Sequence, residues 1–241
     1  MRKFIVTLLC YFVVISMSSA QVWLEVGPKA SFGPSGYLNS VLANDSKHDY
    51  SLNLAYNFGG VVGLNIGDAH GFNFEALWGT YFQDIISHPT PDQTLRNVLE
   101  WEVLDFYTMY RFYPESGMYI EAGPKFTQIQ KLSQREGVKE LDVSGMYEDS
   151  YISAVLGVGA FLSGSKVLVI KSGLRFEYGV TDFVSAAGQE NGYPLFKSGL
   201  SDLGKTTPFR VSFGIEISFG VGGLAQASCG RRGFLMGNQY R

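Results

Sequence analysis

Cysteine is nearly missing from this sequence: of two, Cys10 lies within the first twenty residues and Cys229 stands alone in the rest. The chain after residue 20 therefore has no intramolecular disulfide, even in an oxidising compartment that would permit one. Proline is scarce, at 8 residues, and charged residues make up 17% of the chain, below the usual quarter. With Arg2 and Lys3 set aside, 17 bases face 22 acids, a net charge of −5. No basic tract stands out, so no nucleic acid is expected as a partner. Beyond residue 20 no apolar run approaches twenty residues, which leaves no transmembrane helix. Any membrane role must be carried by strands. Motifs that bear chemistry are missing too: no G-x-S-x-G elbow, HExxH helix, CxxC pair or phosphate-binding glycine loop occurs. No catalytic residue, metal centre or cofactor is expected.

The first twenty residues read as a leader. Arg2 and Lys3 make a basic start, Phe4 to Ser16 is an apolar run too short to span a bilayer, and Ser18-Ser19-Ala20 supplies small residues before Gln21. That is the three-part layout of a secretory signal peptide. Cys10 lacks the small residues that a lipid-attachment cysteine needs just before it, so lipoprotein processing is not expected.

What is present points to β structure. Glycine reaches 29 residues and aromatics 15%, and apolar positions recur with period two rather than 3.6. The alternation predicts eight strands: Val22–Phe32, Ala55–Ile66, Phe72–Gln83, Leu99–Tyr113, Met118–Gln130, Asp149–Leu162, Val167–Val180 and Pro208–Phe219. Each reaches the ~9–11 residues that a tilted strand needs to cross a bilayer. The connections alternate in length. Gly67–Gly71, Pro114–Gly117 and Ser163–Lys166 are tight turns, whereas Gly33–Leu54, Asp84–Val98, Lys131–Glu148 and Thr181–Thr207 are long and polar. Short turns on one rim and long loops on the other are how outer-membrane barrels are built, with the short side periplasmic. The predicted fold is all-β, an eight-stranded antiparallel up-and-down transmembrane barrel. Its expected organisation is a signal peptide at 1–20, the barrel at 21–220 and a short periplasmic tail at 221–241.

Each strand has one apolar and one mixed face. In the last, Phe209, Val211, Phe213, Ile215, Ile217 and Phe219 oppose Arg210, Ser212, Gly214, Glu216 and Ser218. A soluble barrel alternates in the same way, but it has little use for glycines beside full charges on its outer face. In a narrow membrane barrel those glycines make room for charged neighbours inside. The predicted interior acids are Glu25, Glu75, Asp105, Glu121, Glu177 and Glu216, and the bases are Lys29, Arg111, Lys125, Lys171, Arg175 and Arg210. The two sets balance. Unpaired charge away from water costs several kcal/mol, so matched signs imply an ion-paired, plugged lumen. Aromatics near strand ends are expected to form two girdles: Tyr110, Phe112, Tyr113 and Tyr119 at one rim, Trp78, Tyr81 and Phe82 toward the other.

Three stretches carry a family resemblance. Leu99–Tyr113 with the Pro114 turn and Met118–Pro124, then Leu174–Asp182, then Phe209–Gly214, resemble PorT-family barrels of the eight-stranded OmpA/OmpX-like group. The resemblance implies a place in the Gram-negative outer membrane, with outer-membrane lipid and lipopolysaccharide around the barrel. It also implies a role as a protein secretion accessory, for example in a type IX secretion-like assembly beside other envelope proteins. Ser212–Phe219 is similar to the terminal signal read by the barrel-assembly machinery, although here Gly220–Arg241 follows it. That tail is too short for the peptidoglycan-binding domain of OmpA-like proteins.

The long connections hold the candidate contact residues. Tyr37, Tyr50, Tyr193, Leu195 and Phe196 are apolar or aromatic in polar surroundings and are the expected partner-binding anchors. Two rival functions stay open. A lipid-A or phospholipid hydrolase would use His48 or His88 at the outer rim as its base, and Asp45, His48, Asp49 and His88 are the residues that a surface metal would use. A narrow channel for small solutes is the other.

Overall fold

The computed structural model describes residues 22–44, 48–90, 93–114, 116–136, 139–164, 168–194 and 204–221. The expected signal peptide and residues 222–241 of the expected tail lie outside them. Nine strands follow in order: β1 Val22–Asn39, β2 His48–Ile66, β3 His70–Thr90, β4 Gln93–Phe112, β5 Met118–Glu136, β6 Lys139–Asp142, β7 Ser150–Gly164, β8 Leu168–Gly179 and β9 Thr206–Val221. Eight of them pair antiparallel with their neighbours in a ring. The ring passes from β1 through β2, β3, β4 and β5 to β7, β8 and β9, and β9 returns to β1 through pairs such as Lys29↔Glu216 and Phe32↔Phe213. The short β6 stands apart and folds back on the end of β5, with Ser133↔Asp142 and Glu136↔Lys139. Through the band-crossing part, closure gives each barrel strand a partner on both sides.

Period-two alternation decides which side of the wall each residue takes. Phe58, Phe74, Ile120, Leu156, Phe176 and Ile215 all face outward and are exposed, Leu156 at 63%. Residues of the other parity are buried inside, including all twelve charged residues of the predicted interior set. An apolar exterior around a charged interior is the side-chain arrangement of a membrane-spanning barrel. Along β9, Phe209–Phe219 at about 3.4 Å per residue and a tilt near 45° covers about 25 Å of depth, the height of a bilayer-facing band.

The strands overrun the predicted ones on the long-loop side. β1 runs on to Asn39, β2 starts at His48, β3 continues to Thr90, β4 starts at Gln93, and β5 reaches Glu136. The expected long loops Gly33–Leu54, Asp84–Val98 and Lys131–Glu148 are thus largely strand; β3 and β4 stay paired out to Thr90↔Gln93. In the extensions the faces are mixed: Tyr37, Ile85 and Leu132 are buried in an apolar cluster, whereas Asn39 and Ser133 are buried polar residues. The period-two signal fades there while the backbone ladder continues.

Among the described residues, the connection after β8 keeps non-strand structure over Val180–Pro194. It contains Val184, bridged to Tyr147 of the β6–β7 connection, and a five-residue helix, α2 Ala186–Glu190; the one-turn α1 Ser40–Ala43 lies between β1 and β2. Ser185 caps α2 by accepting from the Gly188 N–H at 3.1 Å. A 3-10 turn at Ser144–Met146 precedes β7, and its first N–H donates to Asp142 Oδ1 at 3.0 Å. That bond holds the Asp142 carboxyl below the usual carboxylate range.

Candidate functional site

The lumen is filled in layers, and the order of residues along β4 sets the sequence of the layers. At the short-turn end Tyr113, Tyr119, Phe161 and Val169 form an apolar plug, with ring centroids 5.6–6.2 Å apart. Tyr113 and Tyr119 therefore lie inside the barrel and do not belong to a girdle. Tyr81, expected in the opposite girdle, is likewise buried. Each has the parity of an interior charge on its own strand: Tyr113 of Arg111, Tyr119 of Glu121, Tyr81 of Glu75. Proximity to a rim was the weaker guide. Tyr110, Phe112 and Trp78 are exposed on the outer face, as girdle residues would be.

Above that plug eight charges interlock. Arg175 holds Glu75 with two bonds of 2.7 Å and donates to Glu121 at 2.6 Å from Nε. Arg111 donates to Glu121 at 2.8 Å and holds Glu216 at 2.7 and 3.1 Å. Lys171 joins Glu25 at 2.5 Å to Glu216 at 3.0 Å, and Lys29 donates to Glu75 at 2.7 Å. Four acids meet four bases, and each guanidinium nitrogen of Arg111 and Arg175 donates to a carboxylate. Forked guanidinium–carboxylate pairs of this kind are directional as well as strong. Tyrosine rings complete the shell, with Arg111 over Tyr119 at 4.7 Å and Arg175 over Tyr107 at 4.9 Å.

Leu77, Tyr107, Met109 and Val155 form the next layer, which is apolar. A second, smaller charge layer follows. Lys125 donates to Glu177 at 2.6 Å, Arg210 lies 3.7 Å from Glu177, and Asp105 accepts from Thr127, Asn57 and Tyr81. Two acids again meet two bases.

Glycines let this filling fit the wall, in two ways. A Cβ at Gly159 would fall 2.2 Å from the Tyr119 ring, so this glycine makes room for an interior side chain. A Cβ at Gly123 would fall 2.0 Å from the Thr108 carbonyl oxygen, so this one permits close approach of neighbouring backbones.

The long-loop end is closed by the largest apolar cluster of the described residues. Tyr37, Leu99, Trp101, Leu132, Tyr147 and Tyr151 surround Phe183, which reaches in from the connection after β8. Burial among these rings pushes the Tyr147 hydroxyl well above the ordinary tyrosine range. Phe183 is buried completely and is held by its N–H on the Thr206 carbonyl at 2.9 Å and its own carbonyl on the Glu148 N–H at 3.0 Å. Nothing in the local sequence marks Phe183 or Tyr147 as interior, because neither lies on a barrel strand.

The expected contact anchors fare differently. Tyr37 is fully buried against Phe183 at 6.3 Å, and Tyr193 packs on Tyr147 at 5.8 Å with 8% exposure. Both are part of the cap and not exposed anchors; the rim folds inward, and each ring finds an aromatic partner there. Tyr50 lies in β2, but its side chain falls outside the described residues, as does that of His48. Asp45, Leu195 and Phe196 lie outside them altogether. His88 sits at the rim with Nε2 3.5 Å from Asp49 Oδ2 and Nδ1 3.4 Å from Thr94 Oγ1, longer than the usual reach of a general base. Among the described residues no group of three or more His, Cys, Asp or Glu is placed to hold a metal ion.

No protein-family model and no curated protein matches the chain. Among solved structures it is similar to the outer membrane protein OprG from Pseudomonas aeruginosa, with TM-score 0.47 and 11% identity over 84% of this chain and 96% of that one. It is also similar to Neisserial surface protein A (NspA), with TM-score 0.43 and 12% identity over 80% and 96%. A third is the N-terminal β-barrel domain of Pseudomonas aeruginosa OprF, with TM-score 0.37 and 14% identity over 83% and 100%.

Proposed function

We propose that this chain is an integral β-barrel of the cell outer membrane that acts without catalysis, through its rims, as an accessory or partner-binding component of an envelope assembly. The filled lumen carries this reading. Two charge layers alternate with three apolar ones, and an eight-stranded barrel is just wide enough for side chains to fill it. A sealed interior leaves the outer band for lipid and lipopolysaccharide and the rims for proteins.

The strands that rise beyond the band support a role for the long-loop rim. There β3 and β4 form a paired wall, and β6 braces β5. The PorT-like strand patterns and the Ser212–Phe219 signal favour export through the barrel-assembly machinery and a part in type IX-like secretion. Quantitative proteomics of secreted and surface proteins from a strain lacking this chain tests the reading. Selective loss of exported cargo is the expected result, and an unchanged profile would remove the secretion role.

A further inference from the structure

Among the described residues, Phe183 is the one aromatic in the outer plug that comes from neither a barrel strand nor the β6–β7 and α2 turns that brace it. Its ring lies among Tyr147 at 4.9 Å, Trp101 at 5.5 Å, Tyr151 at 5.7 Å and Tyr37 at 6.3 Å. Four aromatic side chains around one ring form a receptacle for a flat apolar group, in the edge-on and tilted arrangements that aromatic pairs prefer.

Directly beneath, between this plug and the smaller charge layer, lies a cavity lined by Tyr81, Trp101, Lys125, Tyr151, Glu177 and Arg210 among others. As it stands it has room for about one water molecule. Two buried donors line its wall: Arg210 Nε has no acceptor among the described residues, and Trp101 Nε1 has only the neighbouring Tyr151 hydroxyl, without close hydrogen-bond geometry. The Tyr151 hydroxyl lies beside Trp101 and Thr127 without a well-formed hydrogen bond to either. Buried donors without acceptors are costly, and in a packed interior they mark a place where a partner group belongs. The full charges nearby are already matched: Lys125 and Arg210 face Glu177 and Asp105. An incoming anion would upset that balance, whereas a neutral acceptor would not.

We propose that the outer chamber is a ligand site that Phe183 occupies in the ligand's absence. Its ligand is a small neutral aromatic molecule carrying a carbonyl or hydroxyl. The ring takes the place of the Phe183 ring, and the acceptor oxygen reaches down to Trp101 Nε1 and Arg210 Nε. Phe183 swings out with the segment Thr181–Pro194, whose backbone bonds to the other described residues are the Phe183 N–H on Thr206 and the two bonds of the Tyr147–Val184 bridge, Glu148 N–H on Phe183 and Ser185 N–H on Met146; Asp182 and Thr181 side chains also accept from the Thr206 and Ile152 N–H groups. Ligand binding is thereby coupled to the position of a rim segment, the surface that a protein partner would meet. The inference rests on the barrel and its plug and stands whether or not the chain serves secretion.

The test is titration calorimetry with benzamide on the full chain refolded in detergent micelles. Phe183→Ala is expected to bind benzamide saturably and at least tenfold more tightly than the unmodified chain, because the internal competitor is gone. Adding Trp101→Phe should weaken that binding several-fold. Phe183→Leu keeps the segment apolar, serves if the alanine variant does not fold, and should show an intermediate gain. No saturable binding by a folded Phe183 variant would overturn the proposal. Equal affinity for cyclohexanecarboxamide would overturn the aromatic assignment, and equal affinity for benzoate would overturn the neutral one.

Discussion

Glu216 shows what a single residue does in a lumen of this kind. It accepts from both Arg111 and Lys171, lies 3.8 Å from Lys29, and also takes the Ser218 hydroxyl at 2.7 Å. Its removal leaves bases buried without their counter-charge, a loss of about 3–5 kcal/mol. Glu216→Ala is therefore expected to lower the denaturant midpoint of the refolded barrel markedly. The exposed pair Lys131–Glu140, 3.4 Å apart, is the control: screened by solvent, it should leave the midpoint unmoved on Lys131→Ala. Equal midpoints for Glu216→Ala and the unmodified chain would contradict the ion-paired lumen. Each interior charge could be read from the alternation, since parity alone separates Glu216 from Ile215 and Ile217. Which acid meets which base could not. Arg175 joins Glu75 on β3 to Glu121 on β5, and only the closed ring brings those strands across from one another.

At the scale of elements, the barrel strands and the cap differ in what holds them. The strands are held by a continuous ladder, and the cap by aromatic packing and a few bonds around Phe183. Tyr147 and Tyr193 make the cap sensitive to alkali. Burial raises the pKa of both hydroxyls, so the folded cap favours the protonated forms. Their contribution is complete below the unfolded tyrosine value of about 10 and declines as the pH rises beyond it. Near-ultraviolet circular dichroism is expected to show the cap loosening above about pH 10, with the barrel strands still formed. Tyr147→Phe should move that onset to higher pH, and an unshifted profile would sink the assignment. The band-crossing part of each strand is legible because one face meets lipid and the other does not. The extensions of β1 to β5 are not legible, because both of their faces are mixed.

The described residues form a ring whose interior is filled by side chains around water-sized voids. Layers of opposite character follow one another from Tyr113 at one mouth to Phe183 at the other, so an ion entering would have to part both ion-pair layers and both aromatic plugs. Planar-bilayer recordings of the refolded chain at neutral pH are expected to show no stable conductance steps. Steps of reproducible size would favour the narrow-channel reading instead.

By itself the sequence determined that the chain forms eight band-crossing strands, which face of each is apolar, and that the interior charges cancel. These follow from local period and composition, which need no knowledge of which strand lies opposite which. The tertiary structure alone decided the pairing of the twelve charges into a group of eight and a group of four. It alone placed Tyr37, Tyr81, Tyr113 and Tyr119 inside and set Phe183 in the outer mouth. Those outcomes depend on ring closure and register, which bring together residues as far apart as Glu25 and Lys171 and leave no trace in the spacing of either.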